Sequence, residues 1–172
     1  MNRVLAIGTV LAAAVVGGCA SQQPVAHGEK DMSGLAELKA LEGTWMMRDE
    51  KGQEQVGLVT KVIAGGSVVH ETMFPGSPHE MVNTYHLDNG QIVVTHYCAA
   101  GNQPRMACPG GQHGVYTFTL RDITNRGSRA ETYMGALTVT IKDKNHLVQD
   151  WASFTDGKRT DGPTFELTRK GS

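Results

Sequence analysis

The chain has 172 residues, 40% of them hydrophobic and 19% charged, with 16 basic against 17 acidic side chains and a net charge of −1. That balance suits one soluble globular domain, offers no basic excess to neutralise phosphates, and so speaks against a nucleic-acid partner. Twenty-one Gly and six Pro, with many Val and Thr, favour strands and turns over helices.

Residues 1–18 read as a signal peptide. Arg3 supplies a short positive start, and residues 4–16 form an apolar run too short to cross a bilayer as a stable helix. Val16-Gly17-Gly18-Cys19 then resembles the bacterial lipobox, in which small residues precede a Cys that is lipidated and becomes the new N-terminus. Acyl chains on Cys19 would anchor the chain to the membrane, at about 0.8 kcal/mol per buried CH2. No Asp follows Cys19, since Ala20 and Ser21 stand there. In a Gram-negative source this points to the outer membrane, with the domain facing the periplasm. Residues 19–33 are polar and aperiodic and read as a lipidated tether to a domain at 34–172.

Ser33 is placed to cap a short helix over Leu35, Leu38 and Leu41, which Gly43 ends. Strands are expected at 44–48, 55–64, 68–74, 80–87, 92–98, 115–121, 137–142, 147–154 and 164–169, with a tenth near 129–134. Asn89-Gly90 is the preferred centre of a type I′ hairpin turn, because both positions need φ > 0. The expected fold is all-β: a nine- to ten-stranded antiparallel up-and-down barrel or sandwich with one short N-terminal helix. About 130 residues in such an array can close a barrel around one small ligand.

Leu41-Glu42-Gly43-Thr44-Trp45 resembles the Gly-x-Trp opening of the calycin barrels: lipocalins, fatty-acid-binding proteins and nitrobindin-like domains. Their first-strand Trp packs against a basic residue on the last strand, and the resemblance assigns that role to Arg169 against Trp45, a cation–π closure of the barrel. Residues 73–82, 95–98 and 101–106 together are similar to a family of bacterial, often exported, calycin-like domains of unknown function. That likeness covers roughly residues 35–170 and implies a fold and a cavity, with no established activity. Nitrobindin-like barrels hold haem through a His, for which His146 is the nearest candidate here, in a turn-like Lys-Asn-His setting.

A two-residue Asn89-Gly90 loop sets Asn83 opposite His96 and Tyr85 opposite Val94, so Met81, Asn83, Tyr85, His96 and Cys98 share one face. The same logic carried through Pro75-Gly76 puts His70 on that face, opposite Met81. The other face carries Glu80, Val82, Thr84, His86, Thr95 and Tyr97, and pairing alone leaves open which face lines the interior. His70, His96 and Cys98, with Met81, form a candidate soft metal set of the kind that suits Cu(I) or Zn. Against it, His96 and Cys98 are two apart on a strand, about 7 Å between Cβ atoms, and a plain His96–Asn83 hydrogen bond explains the pair as well. Cys98 and Cys108 are the two cysteines left after lipidation and are expected to form a disulfide in an oxidising compartment. Arg105, after Asn102-Gln103-Pro104, suits a ligand carboxylate or phosphate together with Tyr97 or Tyr85, or else braces its loop against an acid.

These residues support an expectation of a lipid-anchored envelope barrel that binds a small, partly apolar ligand through Tyr85, His96, Tyr97, Asn102 and Arg105, as carrier, sensor or scavenger and not as an enzyme. Two alternatives stand beside it. One is a metal- or haem-binding protein or enzyme using His70, His96 and Cys98; the other is a structural lipoprotein with a surface partner.

Overall fold

A computed structural model of the chain describes residues 33–128 and 130–171. The expected signal peptide, the lipidation site Cys19 and nearly all of the tether lie outside the described residues. Ten antiparallel strands follow a short helical segment: β1 Gly43–Arg48, β2 Glu54–Ile63, β3 Val68–Met73, β4 Met81–Asp88, β5 Gln91–Tyr97, β6 Gln103–Cys108, β7 Val115–Thr124, β8 Tyr133–Ile141, β9 His146–Thr155 and β10 Lys158–Arg169. Each strand pairs with its neighbours in sequence, and β10 returns to β1, so the sheet closes into a barrel with no free end.

Turn chemistry sets the register. Asn89 and Gly90 both take positive φ, 51° and 78°, and pair Asp88 with Gln91 across a two-residue turn. The connection after β3 is longer. Ser77 N–H donates to the Phe74 carbonyl and Glu80 N–H to the Ser77 carbonyl, two turns in series. This aligns Met73 with Met81 and His70 with Thr84, correcting the expected His70–Met81 pairing. Two other strand expectations change. Residues 103–108, expected as loop, form β6, and the tenth strand is not at 129–134, because β8 begins only at Tyr133. Pro104 is tolerated in β6 next to a register shift at Arg105/Met106.

The helical segment is a 3-10 turn, Ser33–Leu35, running into α1, Ala36–Lys39. At four residues α1 cannot sustain itself, so tertiary contacts hold it. Leu35, Leu38 and Leu41 are buried against the barrel end, and Tyr116 Oη donates to Glu37 at 2.6 Å. Trp45 Nε1 donates to the Leu41 carbonyl at 2.9 Å. Arg169 lies over the Trp45 ring at 4.3 Å from its centroid and donates to the carbonyls of Ala40, Glu42 and Lys144 at 2.7–2.9 Å. Gly43 has φ of 140°, and a Cβ there would stand 2.8 Å from the Arg169 guanidinium, so the backbone passes where only glycine fits. The helix end of the barrel is thereby plugged and tied. Among the described residues no helix is long and apolar enough to cross a membrane.

Candidate functional site

The inward face alternates down each strand. On β3 the buried positions are Val69, Glu71 and Met73, which leaves His70 on the outer side. On β4 and β5 they include Asn83, Tyr85, Val94 and His96. Cross-strand register then lines up Thr60, Glu71, Asn83 and His96 on four successive strands, β2 to β5. All four are buried, as is Gln149 on β9 opposite them. The interior therefore contains a polar layer inside an otherwise apolar core.

Hydrogen bonds organise that layer. Glu71 accepts from Asn83 Nδ2 at 2.9 Å, Tyr85 Oη at 2.9 Å and Gln149 Nε2 at 3.0 Å. Burial raises the Glu71 carboxyl above its usual range, and the three donors only partly offset that. Burial, with Glu71 beside it, likewise pushes the Tyr85 phenol well above 10. Asn83 turns its amide oxygen to His96 Nδ1 at 2.7 Å. Because Asn83 Nδ2 is committed to Glu71, the proton of that bond belongs to His96, and Nδ1–H donates. His96 Nε2 is then an acceptor. Burial lowers the ring's pKa to about 4, so the imidazole is neutral at ordinary pH.

Several polar atoms of this interior carry no hydrogen-bond partner: His96 Nε2, Trp151 Nε1, Thr60 Oγ1 and Gln149 Oε1. Buried polar atoms are satisfied in the great majority of cases, so a group of them projecting into one interior layer from β2, β5 and β9 marks a place equipped for something else. The His96 and Trp151 rings are neighbours, centroids 4.7 Å apart and tilted by 48°. Toward the end away from the helix lies a half-buried rim of Met47, Phe74, Met81, Met134 and Phe165. A groove of about 400 Å³ runs along the seam where β1 and β10 part, and it shares Met47 and Phe165 with that rim.

The residues singled out in the sequence divide sharply. Tyr85 and His96 come together inside. Tyr97 is on the outer face and 48% exposed. Arg105 is also outside, and both its forks grip Asp122 at 2.6 Å, so it braces the β6–β7 ladder and does not reach a ligand in the barrel. Asn102 is fully buried but faces a loop: its Nδ2 donates to Glu131 at 2.5 Å and to the Thr132 carbonyl at 3.1 Å. His146 is exposed at the start of β9 with Nδ1 2.9 Å from the Asp143 carboxylate, outside the barrel interior.

Two expectations are corrected. His70, His96 and Cys98 do not converge, because His70 points out while His96 points in, and no group of three metal-ligating side chains occurs among the described residues. Cys98 and Cys108 are both free. Cys108 pairs with Ile92 at one end of the β5–β6 ladder while Cys98 lies past the other end, about 20 Å away at strand spacing, far beyond disulfide reach.

The sequence reading passed over Glu71, Gln149, Trp151 and Thr60. Glu71 was findable: Val69, Glu71 and Met73 alternate as the more apolar face of their strand. Gln149 and Trp151 meet the layer from across the barrel, and no local pattern encodes that. Comparison of the chain with protein-family models and with curated proteins found no match.

Proposed function

We propose that this chain is a lipid-anchored, periplasm-facing barrel of the calycin-like kind, binding a small, partly apolar molecule as carrier, sensor or scavenger. The observation that carries the reading is the pair of buried, unpartnered ring nitrogens, His96 Nε2 and Trp151 Nε1, on rings that meet inside the barrel. Ligand sites combine apolar walls with a few convergent polar groups. The Met47, Phe74, Met81, Met134 and Phe165 rim supplies the former, and methionines adapt to varied shapes. The groove between β1 and β10 is the route in. The up-and-down strand order and the Trp45–Arg169 stack support the calycin-like assignment. Lipidation at Cys19 and an outer-membrane address rest on the sequence order of charge, apolar run, small residues and Cys.

Native mass spectrometry of the mature chain with Cys19→Ser, purified from periplasm, tests this. A bound adduct lost on denaturation establishes a binding protein, and its mass separates a lipid-like molecule from haem or a metal. A bare protein mass, with none gained on incubation with a periplasmic extract, rejects the carrier reading in favour of the surface-partner one.

A further inference from the structure

The interior wall carries information about the ligand's head group. Among the described residues the buried polar side chains are Thr60, Glu71, Asn83, His96, Asn102 and Gln149, and none is a Lys or Arg. Arg105, the cation expected to meet a carboxylate or phosphate, is spent on Asp122 outside. The one buried carboxyl among the described residues is Glu71, whose oxygens already accept from Asn83, Tyr85 and Gln149. An anion brought here would lose its hydration, find no cation and face a carboxyl group.

Besides Thr60 Oγ1 and Gln149 Oε1, what remains unused is a matched pair on two neighbouring rings. His96 Nε2 can only accept, because Nδ1 holds the proton in its bond to Asn83. Trp151 Nε1 can only donate. The two rings are adjacent. A hydroxyl answers both, donating to one nitrogen and accepting from the other. An ammonium cannot accept from Trp151, and an ether or ketone cannot donate to His96.

We propose that the interior site selects a neutral alcohol or phenol on an apolar body and excludes carboxylate and phosphate amphiphiles. The hydroxyl bridges His96 Nε2 and Trp151 Nε1, and the body lies toward the rim of Met47, Phe74, Met81, Met134 and Phe165. This rests on the reading of the interior as a ligand site, and it names the ligand class that reading leaves open. Asn83 and Glu71 act as positioning residues: they fix the His96 tautomer and touch no ligand themselves.

The test is equilibrium dialysis of the Cys19→Ser mature chain at pH 7 against two matched series. One is 1-naphthol, naphthalene and 1-naphthoate; the other is 1-octanol and octanoate. The hydroxyl member is expected to bind about tenfold or more tightly than its carboxylate or parent hydrocarbon, the effect of pairing two buried groups that are otherwise left unmet. His96→Phe should erase the preference of 1-naphthol over naphthalene. Trp151→Phe, which keeps the ring and drops only the donor, should reduce it severalfold, and it serves where His96→Phe does not fold. Carboxylates binding as tightly as hydroxyls, or naphthalene as tightly as 1-naphthol, overturns the inference while leaving an interior site standing. No binding by any member of either series rejects the interior site itself, and the inference with it.

Discussion

Asn83 presents its amide oxygen to Nδ1 of His96 at 2.7 Å while its amide nitrogen is held by Glu71 at 2.9 Å. One side chain therefore ties an acid to a base without letting them touch. The consequence for His96 is a fixed tautomer and a ring that resists protonation, since burial opposes the charge and no carboxylate contacts the ring.

Stability should accordingly fall in acid. The folded-state pKa of His96 is about 4, against 6.5 for an unperturbed imidazole. Between those values the unfolded chain binds a proton that the folded chain does not, so stability rises with pH across the window and is lost as pH drops through it. The full difference is about 3 kcal/mol. His96→Gln keeps a donor for Asn83 and cannot titrate. Chemical denaturation of wild type and variant from pH 3.5 to 7.5 should show the wild type losing about that much relative to His96→Gln. Parallel curves would show that His96 titrates normally.

Glu71 behaves in the opposite sense. Its folded-state pKa lies above 4.5, so above that value the folded chain holds a proton that the unfolded chain has released. Stability contributed by this group is present below 4.5 and lost as pH rises through the folded value. Glu71→Gln removes that loss. Its amide oxygen can accept from Asn83 and Tyr85, and its NH2 can donate to Gln149 Oε1, an atom without a partner in the wild type. The variant should match the wild type in acid and exceed it at pH 8 by thermal melting. Glu71→Leu should instead lose at least about 3 kcal/mol, because three buried donors are stranded.

The barrel closure offers a cleaner packing test. Arg169 stacks on Trp45 and satisfies carbonyls at the end of the helical segment, so it acts both as a cation–π partner and as a C-terminal cap. Arg169→Ala should cost about 3 kcal/mol, and Arg169→Lys roughly half of that, since an ammonium cannot reproduce the fork. Hydrogen exchange should locate the damage. Amides of Ala40, Leu41 and Glu42 should exchange faster in Arg169→Ala, while β6 and β7 keep their protection.

How far the sequence reached depended on whether a feature was local. The Asn89-Gly90 turn and the pairing of Asn83 with His96 follow from short-range chemistry, and the Trp45–Arg169 seam was implied by the resemblance to other barrels. The errors came where a turn was longer than it looked. The two stacked turns over residues 74–80 shifted β3, which moved His70 outward and brought Glu71 in, and this dissolved the candidate metal set. Arg105 took the bracing one of its two readings for a different reason. Pro104 and the flanking Gly made residues 101–106 read as loop, whereas a register shift lets Pro104 sit in β6 and turns Arg105 outward to Asp122. The Gln149 and Trp151 side of the interior depends on curvature across the whole barrel.

The two free cysteines make a redox prediction. Cys108 is buried with Sγ 3.3 Å from the Gly110 carbonyl, and Cys98 is half-buried at the opposite end of the β5–β6 hairpin. The Cys19→Ser mature chain, purified without reductant, should therefore give two thiols per chain once unfolded in guanidinium. In the folded state Cys98 should be alkylated well before Cys108, because Cys98 is the more accessible of the two. Mass spectrometry after brief iodoacetamide treatment distinguishes the sites. A mass lower by two hydrogens and no reactive thiol would mean that the two residues are joined, which requires β5 and β6 to pair in a register other than Ile92 with Cys108.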